Sequence, residues 1–311
     1  MPLQTEGLLS RCTTSQPPPE LQPADDCSRC LKPSGTTSSS FARFAGVRGS
    51  QSNSTSVADL RKIGQKHKID GIVNVAGGFA SGEGPLRGLK GYFDMLDATF
   101  QVAQEWKVKR VTFSSTGGMY LGLSGTVDEE HPIALQSMFP ILAYQKIVEV
   151  AADQFAKKTG ISTICVRLMG MFGPFDGAQL GLPARLVHAA VSGRPPSFED
   201  VFFGNADDAI DLLYIKDMAR AIALLQTAEK LRYNVYNVAS GKVTPNSELV
   251  DAVKRVVPNF KVDLPPGRFP FPPLPLPDTK RLLADTGFSP KFDTQSAMRH
   301  YADWLKAGNP K

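Results

Sequence analysis

The stretch FPILAYQKIVE, Phe139 to Glu149, sets a tyrosine and a lysine two positions apart at the start of a helical pattern led by Pro140. Those two residue types are the raw material of proton transfer. A phenol ionises near pH ~10, and an ammonium held beside it lowers that value so that the phenolate can take a hydroxyl proton near neutrality. The two groups must then share one helix face, which takes a spacing of three or four. Two positions turn a helix through about 200°, so Tyr144 and Lys146 point to nearly opposite faces.

The other residues with chemical potential offer less. Cys27 and Cys30 form a C-x-x-C in a Pro/Ser-rich stretch with no second ligand pair, which reads as two free thiols rather than a metal or redox site. Cys165 lies inside the apolar run STICVRLMGM, and four cysteines in 311 residues are too few for a disulfide framework. A reducing, cytoplasmic setting is the simpler expectation. The net charge of +5 comes from 35 basic against 30 acidic residues, scattered except for RKIGQKHK at Arg61 to Lys68. That run reads as a solvated helix face, so no nucleic-acid partner is expected. No apolar run reaches the length of a membrane span and the amino terminus lacks a secretory-type apolar segment, so no membrane association is expected.

The elements that must position any site alternate. Residues 1–42, with SQPPPELQPADD and PSGTTSSS, show no periodicity and read as a disordered tail. From Ser54 onward, helix VADLRKIGQKHK leads to strand DGIVNVAGG, helix GLKGYFDMLDATFQVAQEW to strand RVTFSST, and the helix from Pro140 to Lys158 to strand STICVRLMGMFGP. Short strands that are apolar throughout, separated by amphipathic helices, predict a parallel sheet covered on both faces. Helix DMARAIALLQTAEK, strand YNVYNVAS and helix TPNSELVDAVKRVV follow, the last with Thr244 as cap and Pro245 in the first helical position. LPPGRFPFPPLPLPD reads as an ordered or semi-extended loop, or as a ligand for a proline-reading domain, because helix and central strand both exclude it. Two helices, TKRLLADTG and TQSAMRHYADWLK, close the chain.

This order and six strings, DGIVNVAGG, VKRVTFSSTGGMY, AYQKIVEVAADQFAKKTGISTICVRLMGMFGP, DLLYIKDMARAI, YNVYNVASG and PDTKRLLADTGFSP, resemble the extended short-chain dehydrogenase/reductase family, its NAD-dependent epimerase/dehydratase group. The resemblance covers roughly residues 46 to 306. It implies an α/β fold: an incomplete doubly wound Rossmann-type parallel sheet with a small carboxy-terminal substrate domain and a disordered amino-terminal tail. The core would take 43–180 and 207–241, and the substrate-binding part 181–206 and 242–311. It also implies an NAD or NADP cofactor, a small-molecule, sugar-like or other hydroxyl/carbonyl substrate, and a homodimer through the helices matching Gly88 to Trp106 and Pro140 to Lys158.

Family roles carry over residue by residue. Thr116 matches the hydroxyl position, with Ser115 as neighbour, and Lys146 matches the lysine. The tyrosine of the family stands four residues before that lysine, where this chain has Leu142. Tyr144 and Tyr120 are the weak substitutes, Tyr144 reading as an aromatic on the helix surface or at a subunit contact. Cofactor contacts are implied for Asn74, Ala76, Gly77, Ser114, Lys146 and Met169, substrate contacts for Arg185 and Met171, and no metal.

Two departures bear on activity. The G-x-x-G-x-x-G turn that receives the cofactor pyrophosphate at a helix amino terminus is absent, GVRGSQSNS matching instead the third strand and its exit. Gly170 stands where sugar-nucleotide epimerases usually have Asn, and Ile210 stands where they have an Arg that pairs with the substrate pyrophosphate, before the Asp matching Asp211. The sequence therefore leaves three alternatives: an NAD(P)-dependent epimerase, dehydratase or reductase with impaired catalysis, a non-catalytic relative that binds a ligand or partner, and a truncated gene product.

Overall fold

A computed structural model of the chain describes residues 52–77, 85–176, 179–199 and 201–308. The tail, the C-x-x-C and GVRGSQ lie outside them. In chain order the elements are α1 (Val57–Lys66), β1 (Gly71–Asn74), α2 (Pro85–Glu105), β2 (Arg110–Thr116), a 3-10 turn (Gly117–Tyr120), β3 (Thr126–Val127) and α3 (Pro140–Thr159). Then come β4 (Ser162–Leu168), β5 (Met171–Phe172), α4 (Leu182–Ser192), β6 (Ala209–Asp211), β7 (Leu213–Tyr214), α5 (Ile215–Thr227) and β8 (Val235–Val238). The chain ends with β9 (Val243–Pro245), α6 (Asn246–Val256), β10 (Leu276–Pro277), α7 (Lys280–Thr286) and α8 (Thr294–Lys306).

The main sheet has the order β1-β2-β4-β8, all parallel, with Val111 opposite Thr163 and Cys165 opposite Val235. Alternation along β4 explains how both faces are covered. Cys165 joins Tyr92, Phe113, Tyr144 and Val148 in a core under α2 and α3, whereas Ile164 and Val166 join Met218, Leu225 and Leu282 under α5 and α7. A third core, with Leu186, Leu249, Met298 and Tyr301, ties α4, α6 and α8 together and reaches back to Phe172 and Tyr214. The fold is the α/β, parallel-sheet architecture that the alternation predicts.

Among the described residues β1 pairs on one side only, and Val73 within it and Val75 just after it are 43% and 59% exposed. An apolar edge at this strand accords with a sheet lacking the family's glycine-rich first strand. One helix start differs. Thr244 does not cap α6: it pairs with Ile210 in the antiparallel β6–β9 ribbon, and Pro245 becomes the cap residue with no side-chain bond. Thr244 thus stands two residues before the first helical residue, Asn246, outside the cap position.

The proline-rich loop is pinned rather than free. Ala206 N donates to Pro265 O, Asp207 N to Gly267 O, and Phe269 N to the Asp208 carboxylate. Phe271 stacks on Phe139 at 5.7 Å, and Phe202 meets Phe269 and Phe271 edge-on. Its end, β10, runs parallel to β3. The loop thereby brings phenylalanine rings to the amino terminus of α3.

Candidate functional site

β2, β4 and α3 converge where the resemblance places the chemistry. Strand β2 ends in the 3-10 turn, and Thr116 caps that turn, its Oγ1 accepting from Gly118 N at 3.0 Å. A Cβ on Gly118 would stand 2.9 Å from Leu142 Cδ2 and 3.2 Å from Thr116 Oγ1, so Leu142 and Thr116 flank the same glycine. The tertiary structure therefore brings the hydroxyl and the residue in the acid's place together. The group supplied there is a hydrocarbon that can neither donate nor accept a proton.

Lys146, one turn further along α3, is engaged elsewhere. Its ammonium donates to Gln136 O at 2.9 Å and Ser137 Oγ at 3.0 Å, and also to Ala134 O. Burial holds it below the ordinary lysine range. With a longer contact to Leu135 O at 3.5 Å, four contacts to one loop make Lys146 a latch for residues 134–137. Met169 is buried after β4, and a Cβ on Gly117 would fall 1.6 Å from its sulfur, so the Met169 side chain lies against the Gly117 backbone. Ser114 is half-buried on β2.

At the end of β1, Asn74 is turned inward: its Nδ2 donates to Thr99 Oγ1 at 2.8 Å and its Oδ1 accepts from Ala76 N at 3.0 Å. A Cβ on Gly77 would stand 3.0 Å from Tyr92 Oη, so α2 closes over this end as well.

The substitute tyrosines have other partners. Tyr144 is not a surface aromatic: it is 7% exposed, its ring 5.2 Å from that of Tyr92. Gly88 makes room for it, since a Cβ there would meet the Tyr144 ring at 3.0 Å. The turn that separates Tyr144 from Lys146 drives it into the α2–α3 interface. Tyr120 is fully buried and donates to Asn237 Oδ1 at 2.8 Å while accepting from Arg167 Nη1 at 2.6 Å.

Tyr120 belongs to a buried polar network spanning the sheet. Arg167 makes a two-pronged pair with Glu149, Nε to Oε1 at 2.9 Å and Nη2 to Oε2 at 2.7 Å, and Ser115 Oγ donates to the same carboxylate at 2.6 Å. Glu129 accepts from Asn237 N at 2.7 Å and meets Arg281 Nε at 3.3 Å. Burial raises both Glu129 and Tyr120 above their ordinary values. Burial alone would lower Arg167, but the Glu149 carboxylate outweighs it and raises the guanidinium. Each member has a partner, which marks a rigid brace between β4, α3 and β8 rather than a reacting site.

The expected substrate contacts fall apart in space. Arg185 on α4 donates through Nε to Gln179 O at 2.6 Å and lines a cavity of about 630 Å³ with His188, Arg194 and Lys306. None of Thr116, Leu142, Lys146, Met169 or Met171 lines that cavity. Met171 is exposed on β5, paired with Leu213. Gly170 has a steric cause: a Cβ would fall 1.9 Å from Asp211 O. Asp211 is buried, its carboxylate accepting from Ser240 N at 2.8 Å and Gly241 N at 2.7 Å, so it shapes the loop after β8.

Sequence reasoning missed a second cluster in the carboxy-terminal part. Tyr214 Oη lies 2.6 Å from His300 Nδ1, and Lys216 Nζ lies 2.6 Å from His300 Nε2. Burial, then Lys216, lowers the His300 pKa, which favours the neutral imidazole. The three residues span positions 214 to 300, and no local spacing announces them.

A dinucleotide bound at the ends of β1, β2 and β4 would need free polar groups and a phosphate-binding turn. The sequence contains no G-x-x-G-x-x-G. Asn74 and Lys146 are spent on their own chain and Met169 lies on Gly117. Among the described residues of this cleft, the polar groups at the family's cofactor positions are thus engaged within the chain.

The family model described as NAD dependent epimerase/dehydratase matches residues 30–239. A curated protein of Arabidopsis thaliana, "Putative UDP-arabinose 4-epimerase 4", is 24% identical over 272 residues, covering 79% of this chain and 61% of its own length. The chain thus spans about three-fifths of that relative. Among solved structures, the UDP-glucose 4-epimerase of Thermotoga maritima with UDP-glucose has a TM-score of 0.68 at 20% identity, over 83% of this chain and 84% of that one. The Thermus thermophilus UDP-glucose 4-epimerase complex with NAD has a TM-score of 0.66 at 20% identity, over 83% and 84%. A partial consensus L-threonine 3-dehydrogenase has 0.67 at 17% identity, over 85% and 88%. At these identities the likeness is one of fold, and the neighbours' names already span sugar nucleotides and an amino acid.

Proposed function

The chain belongs to the NAD dependent epimerase/dehydratase family, and we propose that it is a non-catalytic member that binds a small molecule through its retained carboxy-terminal part. The observation that carries this reading is Leu142 beside Thr116, with the Lys146 ammonium latched to the 134–137 loop. Leu142 offers no group that could take a proton from a substrate hydroxyl, and the lysine is turned to the loop. Phe93 and Val150, exposed on α2 and α3, supply an apolar face for a homodimer.

The alternative is an NAD- or NADP-dependent enzyme acting on a sugar-like substrate, supported by Thr116 and Lys146 at the family positions and by the epimerases among the relatives. Titration with NADH and with NADPH, followed by nicotinamide fluorescence, separates the two. The non-catalytic reading expects no saturable enhancement with either, and tight saturable binding overturns it. Incubation with NAD and UDP-glucose gives the same division: no interconversion is expected, and a 4-epimer product favours the enzyme.

A further inference from the structure

Between β5, β9, α6 and α8 lies a cavity of about 320 Å³, within the size range of small-ligand pockets. Nothing in the cleft beside Thr116 lines it. One wall is aromatic, formed by Phe172, Tyr214 and Phe292. The Tyr214 hydroxyl is committed to His300, so Tyr214 presents carbon to the cavity.

The opposite wall is polar, and its groups divide into committed and uncommitted. The Asp293 carboxylate caps α8, accepting from Ser296 N at 2.7 Å and Ser296 Oγ at 2.6 Å. Glu248 accepts from Thr294 Oγ1. Both acids are thereby occupied. The donors are less firmly held. Lys242 Nζ makes a long ion pair with Glu248 at 3.6 Å, beyond hydrogen-bond length, and Lys291 forms no ion pair among the described residues. Thr244 is 1% exposed, lines the cavity, and makes no side-chain hydrogen bond among the described residues. A hydroxyl at the cavity wall with no bond to its own chain is open to a ligand acceptor. The amino terminus of the 11-residue α6, with Pro245 as a cap lacking a side-chain bond, adds partial positive charge at the same wall.

We propose that this cavity is a binding site for a small aromatic carboxylate, the ring against Phe172, Tyr214 and Phe292 and the carboxylate on Lys242 and Thr244. An anion matches the lysines and the hydroxyl at this wall, and a flat ring matches the three aromatic faces. A neutral polar ligand would leave Lys291, which forms no ion pair among the described residues, without a counterpart.

The test is saturation-transfer NMR on the full chain, titrated with cinnamate and, in parallel, with uncharged cinnamamide. Cinnamate is expected to bind saturably and cinnamamide about tenfold more weakly, as loss of one charge-assisted contact requires. Lys242→Met and Thr244→Val are each expected to weaken cinnamate several-fold. Both positions tolerate the change, Lys242 being exposed and valine suiting a strand, and unchanged melting temperatures verify it. Equal binding of the two compounds, or undiminished binding by both variants, overturns the proposal, as does an absence of saturable binding. Saturating NADH is expected to leave cinnamate binding unchanged. Tight NADH binding on its own would overturn the non-catalytic reading and leave this site standing, whereas competition between the two ligands would overturn the site.

Discussion

The cleft at the ends of β2 and β4 and the cavity between α6 and α8 are built on opposite principles. In the first, polar groups exist but are consumed by the chain: Thr116 caps a turn, Lys146 latches a loop, Asn74 ties β1 to α2. In the second, the acids are consumed while the Thr244 hydroxyl and the Lys291 ammonium make no side-chain bond among the described residues, beside an aromatic wall. Polar side chains that satisfy one another stabilise a fold, whereas those left unsatisfied at a cavity are available to a ligand. Inherited position thus points to the first region, and hydrogen-bond accounting to the second.

The largest test of the contrast is Arg167→Met. It leaves Glu149 buried without its guanidinium and takes a donor from Tyr120, so urea denaturation is expected to show a loss of about 3–5 kcal/mol. A loss below about 1 kcal/mol would mean that the brace beside the first cleft is not structural, and the contrast would collapse. Next is Lys146→Gln. If Lys146 is a latch, the expected loss is about 1 kcal/mol, with faster amide hydrogen exchange confined to residues near 134–137. A change in NADH affinity without a change in exchange would restore Lys146 to the cofactor.

Asp293→Ala sharpens the other side of the comparison. Removing the cap is expected to cost about 0.5–2 kcal/mol at pH 7. Hydrogen bonds from Ser296 hold the Asp293 carboxyl below its ordinary value of 3.8. Its contribution is then fully present above that ordinary value and is lost as pH falls through the lower, folded value. The stability difference between parent and variant should therefore shrink toward zero in acid. A difference that persists unchanged below pH ~2 would show that packing, not the carboxylate, holds the α8 terminus.

Much of the architecture was legible beforehand. The apolar run RVTFSST matches β2 to the residue and Pro140 marked the start of α3, whereas STICVRLMGMFGP, read as one strand, divides into β4 and the separate β5. The occupant of the position four before Lys146 was also legible, since that spacing names Leu142 without any structure. The surface placement of Tyr144 was wrong because the face opposite Lys146 is covered by α2, and Gly88, 56 positions away, makes the space. Thr244 was misread as a cap because its pairing partner, Ile210, lies 34 residues earlier.

What the sequence determined alone was therefore the order and kind of its elements and the leucine that stands four residues before Lys146. Both depend on intervals within one helix or strand, which backbone geometry fixes. What only the tertiary structure decided was how the remaining polar groups are spent. Whether Lys146 meets a loop, whether Tyr120 joins Arg167, and whether Thr244 faces an aromatic wall all depend on elements distant in the chain. Burial penalises each polar group until it finds a partner, and packing of the whole chain settles which partner is within reach.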